Sequence, residues 1–316
     1  MRTSKNYKRY YKGVFMKDFL IFPHSCSTNT AKIVAEDEKN YFDQIKKAAK
    51  LIVEMNVRFV FLAGPSCSGK TTTALTLVND LESLGKRAKT FSTDDFFFNQ
   101  SLAKRNEDGI PDYDAFSHTD SRYLISVLQD LSQGKRTQLP VFDFHRGVRS
   151  ENTVPLSPED YDVFIIEGIH GLNDAILSQM SDPYLGLYLT VTKGLKMEGS
   201  DVFLPSEDLR FCRRLIRDFK HRNASAEKTF QLWKQVLRSE KDILHPFQKN
   251  AALTLNSNFR YEIAVEQEEV TSLLGGVEKD SPFFEDAKRL LEALSAFPVF
   301  SEDIVPKNSV LQEFIN

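Results

Sequence analysis

The stretch Gly64-Pro-Ser-Cys-Ser-Gly69-Lys70-Thr71 fits the pattern G-x-x-x-x-G-K-[ST], in which each defined residue type helps to hold phosphate groups. Glycines let the backbone wrap around a phosphate, and the amides of the loop point at it. The Lys70 amine adds a mobile positive charge, and the Thr71 hydroxyl is a ligand for Mg2+. The sequence therefore predicts a nucleotide-binding loop. Its predicted contact residues are Gly64, Ser66, Ser68, Gly69, Lys70, Thr71 and Thr72.

Acidic residues follow two of the apolar runs that we predict to be strands. Asp94 and Asp95 end the run that starts at Ala88, and Glu167 follows Val163-Phe-Ile-Ile166. Ligands of open α/β sheets bind outside the carboxyl ends of the strands. We therefore expect Asp94 to orient or deprotonate an attacking hydroxyl, and Glu167 to hold Mg2+ together with Thr71. The alternatives are turn or helix-cap chemistry for the aspartates and a surface charge for Glu167.

The segment from Leu209 to Phe219 predicts a helix with arginines on one face. At 100° per residue these arginines fall within an arc of roughly 100°, opposite an apolar face. They are Arg210, Arg213, Arg214 and Arg217, and Arg222 extends the cluster. Asp218 and Glu207 are too few to neutralise them, which favours a lid that faces phosphates over an ordinary solvated face.

Two other segments carry candidate acceptor-binding side chains. Tyr113-Asp114 is one, and Asp143 with His145 at the end of the predicted strand Leu139–Phe144 is the other. The alternative for the second segment is a polar turn that leads out of the sheet. Trp233 lies on an apolar helical face, which indicates a core residue.

The elements that must position these residues alternate between strand and helix, as a doubly wound, mainly parallel α/β sheet requires. The predicted strands are Phe59–Ala63, Ala88–Thr93, Leu139–Phe144, Val163–Ile166 and Leu185–Val191. The predicted helices are Asp43–Met55, Thr71–Leu84, Asp120–Leu131, His170–Met180, Ser206–Arg222, Ser225–Leu244 and Pro282–Leu294. Ser309-Val-Leu-Gln312 matches a capping box and predicts a last short helix. The strand and helix beside the phosphate loop favour it over the alternative, a Gly/Ser turn before an ordinary helix.

Length and composition indicate one large domain with appendages. We expect an N-terminal extension over 1–45 and one large domain over 46–316, with a lid at about 205–225 and a helical cap at about 280–316. The net charge of the 316 residues is -3, which gives no global field for nucleic acid or membrane. Three cysteines without CxxC spacing fit a reducing cytosol. We expect neither a signal peptide nor a membrane helix, and Met16 is an alternative start.

Taken together, these motifs resemble the uridine kinase and phosphoribulokinase family of P-loop kinases. The resemblance covers about residues 55 to 316. It rests on the phosphate loop, on Ser92-Thr-Asp94-Asp-Phe-Phe97, on Val141-Phe-Asp143-Phe144, on Ile166-Glu167-Gly168-Ile169-His-Gly-Leu172, and on the segment Asp208 to Asp218. Later strings resemble the bacterial nucleoside kinase branch that often carries a threonyl-tRNA synthetase-like segment. These are Trp233 with Arg238-Ser-Glu240, His245-Pro-Phe-Gln248, Asn256-Ser257, and Val305 to Ile315.

The resemblance implies phosphorylation of a hydroxyl of a small substrate by ATP with Mg2+. It places Asp94 as the base and Lys70, Arg213 and Arg217 as catalytic residues. The implied substrate-binding residues are Asp114, Asp143, His145, Arg210 and Arg222. A nucleoside such as uridine or cytidine is the expected acceptor, and a homo-oligomer is an expected state of the family. Uridine-cytidine kinases carry tyrosines where this sequence has Phe97 and Phe142. We also expect the synthetase-like segment to be absent, because only some fifty residues precede the first strand of the predicted sheet.

Those departures keep other functions open. A polyol or sugar acceptor in the same fold explains the loss of two hydroxyls. A nucleotide-binding regulator without catalysis is a different class, but it has no need of Asp94 at this spacing. RNA binding through the arginine face is a weaker third reading, and we expect no nucleic-acid partner.

Overall fold

The computed structural model describes residues 18–23, 26–107 and 109–316 and divides into two compact units. The large unit comprises residues 43–190 and 232–255, and the small unit comprises the described residues up to 42 together with 191–231 and 256–316. Met16 lies outside the described residues, and the extension predicted over 1–45 stays a prediction. None of the described helices is both long and apolar enough to cross a bilayer.

Ten strands and nine α-helices occur in the described part of the chain. The strands are β1 (Phe19–Phe22), β2 (Phe59–Ala63), β3 (Ala88–Ser92), β4 (Thr137–Asp143), β5 (Val148–Leu156), β6 (Val163–Glu167), β7 (Tyr184–Thr190), β8 (Gly194–Met197), β9 (Phe203–Leu204) and β10 (Leu253–Asn256). The helices are α1 (Cys26–Met55), α2 (Lys70–Ser83), α3 (Ser121–Ser132), α4 (Asp174–Leu177), α5 (Ser206–Arg222), α6 (Ala226–Ser239), α7 (Glu262–Gly275), α8 (Phe284–Leu294) and α9 (Gln312–Ile315).

The large unit is built on a five-stranded sheet with the order β10-β7-β2-β6-β3. Strand β2 pairs in parallel with β6 and β7, and β3 pairs in parallel with β6. All five residues of β2 and of β6 are buried, because parallel strands are covered on both faces. Apolar side chains of β2, β3, β6 and the face of α3 form the core, including Phe59, Phe61, Phe91, Phe164, Ile166, Leu124 and Leu128. The predicted α/β architecture is confirmed.

The segment Leu139–Phe144 was expected in this sheet, and that prediction is wrong. Strand β4 instead pairs antiparallel with β5 in a separate two-stranded sheet, with an irregularity between Pro140 and Phe142. Most of β5 is exposed and polar, so it carries no apolar signal. The helix predicted over His170–Met180 is also shorter than expected, because only α4 is helical there. The predicted core position of Trp233 is confirmed, since it is 8% exposed.

The small unit contains a three-stranded sheet with the order β1-β8-β9 and the helices α5, α7, α8 and α9. Strand β1 pairs in parallel with β8, and β9 pairs antiparallel with β8. The predicted short final helix, α9, is present, but the predicted capping box is wrong, because the N-cap of α9 is Leu311 and no side chain caps the helix. Ser309 Oγ accepts a hydrogen bond from Leu311 N at 3.2 Å and donates one to Glu38 at 2.5 Å.

Candidate active site

The register of three neighbouring strands brings the predicted acidic residues to the phosphate-loop edge of the sheet. Glu167, the last residue of β6, pairs with Leu62 of β2 on one side and with Ser92 of β3 on the other. The phosphate loop begins at Gly64, directly after the last residue of β2, and Asp94 lies two residues after the last residue of β3. The loop, Glu167 and Asp94 therefore lie at one end of the same three strands, as predicted.

The phosphate loop has the backbone that its glycines require. A Cβ atom at Gly64 would lie 2.2 Å from the carbonyl oxygen of Leu189, so only glycine allows this close passage beside β7. Gly69 has a φ of 88°, in the left-handed region, and is the N-cap of α2. Because the N-cap residue has no side chain, it leaves space at the helix start, where anions bind. Lys70 Nζ donates to the carbonyl oxygen of Pro65 at 3.1 Å.

Thr71 and Glu167 contact each other directly. Thr71 Oγ1 donates a hydrogen bond to Glu167 Oε1 at 3.1 Å. Burial raises the pKa of Glu167 to about 7, and the neighbouring Asp94 carboxylate adds to that shift, whereas Lys70 and Thr71 oppose it. Mg2+ takes hard oxygen ligands and is commonly bound by one or two carboxylates together with substrate phosphates. A buried carboxylate beside a hydroxyl at the loop fits that ion, because a cation would stabilise the charged form of Glu167.

The Asp94 carboxylate is held against the backbone of Gly168. A Cβ atom at Gly168 would lie 1.8 Å from Thr93 Oγ1 and 3.1 Å from Asp94 Oδ1, and the φ of 147° also excludes a side chain. Thr93 Oγ1 donates to Asp94 Oδ1 at 3.3 Å. Asp94 is only half-buried, so its carboxylate stays accessible. This geometry suits a carboxylate that must meet a substrate hydroxyl.

Asp95 has a different role from its neighbour, because its carboxylate accepts a hydrogen bond from Phe142 N at 3.2 Å. Burial raises its pKa to about 6, and the Asp94 charge adds to the shift. Asp95 therefore joins the turn after β3 to the β4-β5 hairpin.

The predicted acceptor residues Asp143 and His145 form the turn of that hairpin. Asp143 Oδ1 accepts hydrogen bonds from His145 N at 3.0 Å and from Arg146 N at 2.9 Å. His145 is exposed. These contacts are the turn chemistry that the alternative reading expected, and a role in acceptor binding stays a prediction.

Aromatic side chains surround a histidine that sequence reasoning missed. The ring of His118 lies 5.7 Å from the ring of Phe97 and 6.2 Å from that of Tyr113, and Phe97 lies 6.0 Å from Phe142. His118 is 4% exposed, its Nε2 has no hydrogen-bond partner among the described residues, and burial lowers its pKa. A neutral, buried ring nitrogen next to Tyr113-Asp114 is therefore a candidate acceptor contact. Its position four residues after Asp114 was the available signal.

Arg149, on β5, was also missed, and it fixes the turn that carries Asp94. Its Nε donates to the carbonyl oxygen of Phe97 at 3.1 Å and its Nη2 donates to that of Phe96 at 2.5 Å. Its Nη1 pairs with Asp120 at 3.0 Å. No sequence signal marks this residue, because β5 is a polar, exposed strand.

The expectation that the arginines of α5 lack acidic partners is wrong. Arg213 is fully buried, and its Nε and Nη2 donate to the two oxygens of Glu262 at 2.5 and 2.6 Å. Asp218 pairs with three arginines of the helix, Arg214 at 3.0 Å, Arg217 at 2.9 Å and Arg222 at 3.6 Å. Arg210 is buried as well. One buried carboxylate can neutralise several guanidinium groups, which a count of local charges overlooked.

Comparisons with known proteins agree with this geometry. The model of the phosphoribulokinase / uridine kinase family matches residues 59–263. A uridine kinase of Ureaplasma urealyticum is 26% identical over 207 residues, which cover 65% of this chain and 91% of the relative. A uridine kinase of Staphylococcus epidermidis is 29% identical over 206 residues, which cover 65% and 90%.

Solved structures are similar in part. A possible uridine kinase from Bacillus stearothermophilus has a TM-score of 0.46 and 20% identity over 68% of this chain and 98% of that chain. A D-glycerate 3-kinase from Cryptococcus neoformans has a TM-score of 0.33 and 16% identity over 89% of each chain.

The family match spans the phosphate loop, Asp94, Glu167 and the arginines of α5, which are the residues on which the sequence-based hypothesis depends. That match implies ATP binding and the α/β fold of P-loop kinases. The chain therefore belongs to the phosphoribulokinase / uridine kinase family and is a phosphotransferase that acts on an alcohol acceptor.

Proposed function

We propose that this kinase transfers the γ-phosphate of ATP to the 5'-hydroxyl of a nucleoside such as uridine or cytidine. The observation that carries the proposal is the placement of the phosphate loop, Glu167 and Asp94 at one end of three strands in register. The names of the matched relatives support the acceptor class. The aromatic rings of Phe97, Tyr113 and Phe142 support it further, because flat apolar rings suit the face of a base.

The residues of the large unit divide the work between donor and acceptor. The loop amides and Lys70 hold the phosphates, and the Lys70 ammonium, which donates one hydrogen bond to the Pro65 carbonyl, has two further N–H groups for them. Asp94 accepts the proton of the attacking hydroxyl, or orients it, from the opposite side. Bound Mg2+ supplies charge neutralisation at the phosphates, and Thr71 and Glu167 would hold it.

A panel of acceptors tests the substrate class. Release of ADP is measured in a coupled assay with uridine, cytidine, inositols, pantothenate and sugar phosphates, and we expect turnover with the nucleosides. Turnover only with polyols or sugars would support the alternative acceptor class, which the absence of hydroxyls on Phe97 and Phe142 favours. If no acceptor raises the rate of ADP release above the rate with water alone, the proposed acceptors are refuted.

The substitution Asp94→Asn tests the proposed base. We expect turnover to fall by about 10²- to 10⁴-fold, the range for loss of a general base, with ADP affinity unchanged. Asp160→Asn is a matched control, because Asp160 is exposed just before the opposite end of β6. A large loss of ADP affinity in Asp94→Asn would remove Asp94 from the role of base.

A further inference from the structure

A buried carboxylate contacts the phosphate loop from the segment that follows α6. Glu240 Oε1 accepts a hydrogen bond from the backbone amide of Ser66 at 2.9 Å, and Glu240 is only 2% exposed. Glu240 begins a π-helical turn, Glu240–Leu244. Such turns are rare and often lie at functional sites. A carboxylate that accepts from an amide makes a charge-assisted hydrogen bond, which is stronger than one between neutral groups.

The residues just before Glu240 contact the acceptor side of the same unit. Ser239 Oγ donates to Asp112 Oδ1 at 3.0 Å, directly before Tyr113. Gln235 Nε2 donates to Ser239 Oγ at 3.2 Å, and Gln235 Oε1 accepts from Asn106 Nδ2 at 2.7 Å. The six residues 235–240, at the end of α6 and the start of the turn after it, therefore contact both the phosphate loop and the loop 106–114.

The phosphate loop needs such support because its backbone is strained. Cys67 has a φ of 58° and Gly69 a φ of 88°, and the first of these is uncommon for a residue with a side chain. Residues in such conformations persist only where the surroundings hold them. A loop held in its binding conformation before the nucleotide arrives loses less entropy on binding.

We propose that Glu240 is a positioning residue that holds the phosphate loop ready for nucleotide. We propose in addition that Ser239 and Gln235 connect the contact between Glu240 and Ser66 to the loop 106–114. Nucleotide binding then orders the acceptor side. The role of Glu240 goes beyond the proposed function, because it concerns the donor loop whatever the acceptor is, whereas the effect on the acceptor side rests on the proposed function.

ADP binding to the full chain, measured by calorimetry, tests the first part. We expect Glu240→Ala to raise the Kd for ADP by roughly tenfold, the size of one hydrogen bond to a charged group. Glu240→Gln keeps an acceptor oxygen and should restore most of the affinity. Asp242→Ala, an exposed acidic residue of the same turn, should bind as the wild type does. Should Glu240→Ala fail to fold, Glu240→Asp, whose side chain is too short for the contact, replaces it.

Two results would overturn the role of Glu240. One is a Glu240→Ala variant, or the Glu240→Asp variant that replaces it, that binds ADP at least as tightly as the wild type does. The other is a Glu240→Gln variant that binds ADP as weakly as Glu240→Ala or its Glu240→Asp replacement. The hydrogen bond from the Ser66 amide would then not be the cause of the lost affinity.

Hydrogen exchange with ADP alone tests the second part. We expect ADP to slow amide exchange over residues 106–114 in the wild type. In the double variant Gln235→Ala/Ser239→Ala, which lacks both side-chain contacts, we expect that slowing to disappear while the Kd for ADP changes less than about twofold, because these contacts lie outside the donor loop. Equal slowing in both proteins would overturn the connection.

Discussion

The buried ion pair of Arg213 and Glu262 permits a test of whether Arg213 supports the fold or the reaction. Both side chains are fully buried, and the guanidinium also donates to the carbonyl oxygen of Ser257 at 2.7 Å and lies 5.1 Å from the ring of Phe314. Arg213→Met keeps the length of the side chain and removes its charge. It leaves Glu262 buried without its cation, and we expect a loss of about 3–5 kcal/mol in the free energy of unfolding.

The loss should depend on pH in a defined direction. Burial raises the pKa of Glu262, and the Arg213 guanidinium opposes that shift. Without Arg213 the folded-state pKa rises further above the unfolded value, so the folded variant binds more protons than the unfolded chain. Its stability is then present at low pH and is lost as pH rises through the folded pKa. The difference from the wild type is therefore larger at pH 8 than at pH 5.

Urea unfolding followed by circular dichroism measures this difference at the two pH values. The double variant Arg213→Met/Glu262→Leu should recover most of the midpoint, because it buries no unpaired charge. Arg122→Met, an exposed arginine of α3, is the control. If Arg213→Met keeps the wild-type midpoint at pH 8 and loses turnover, the structural reasoning is refuted and Arg213 acts on phosphates as the sequence predicted.

Three further outcomes are expected in the large unit. Gly168→Ala places a Cβ 1.8 Å from the Thr93 hydroxyl at a φ of 147°, so turnover and melting temperature should both fall. Gly275→Ala is the control, because nothing lies within 4 Å of its Cβ position, and it should leave both quantities unchanged. Burial raises the pKa of Glu167 from 4.5 to about 7, so its folded-state proton is lost as pH rises through 7. The nucleotide-free wild type should therefore lose stability relative to Glu167→Gln between about pH 4.5 and pH 8, which urea titrations at several pH values measure. Arg149→Lys removes the rigid guanidinium fork that bonds the carbonyl oxygens of Phe96 and Phe97, so kcat should fall while calorimetry finds ADP affinity unchanged. Equal losses of kcat and of ADP affinity would contradict a positioning role.

The positions of the phosphate loop, Glu167 and Asp94 were predicted well because local patterns specify them. The apolar run Phe59–Ala63 is recognisable as a buried strand, and the loop that follows has a fixed spacing. Glu167 and Asp94 end neighbouring strands, and parallel pairing brings such ends together. The boundaries of α5 were also predicted, since its apolar face and the residues of its first and last turns are all in the sequence.

Features that depend on pairing between distant parts of the chain were predicted less well. The partner of β4 is the polar strand β5, which has no alternation of apolar residues to reveal it. The contact between Glu240 and Ser66 joins residues 174 positions apart, and that between Arg213 and Glu262 joins residues 49 apart. Helical periodicity placed the arginines of α5 on one face and said nothing of the carboxylates opposite them.

The large unit is assembled from two separate stretches of chain, and this order matters for biosynthesis. Residues 43–190 contain the phosphate loop, but edge strand β10 beside β7 and the Glu240 carboxylate belong to 232–255. A nascent chain that has left the ribosome only as far as residue 231 exposes the unpaired edge of β7, which is a template for aggregation. Maturation of the catalytic centre therefore has to wait for the translation of a later stretch, and chaperones that shield sheet edges have their opportunity in that interval.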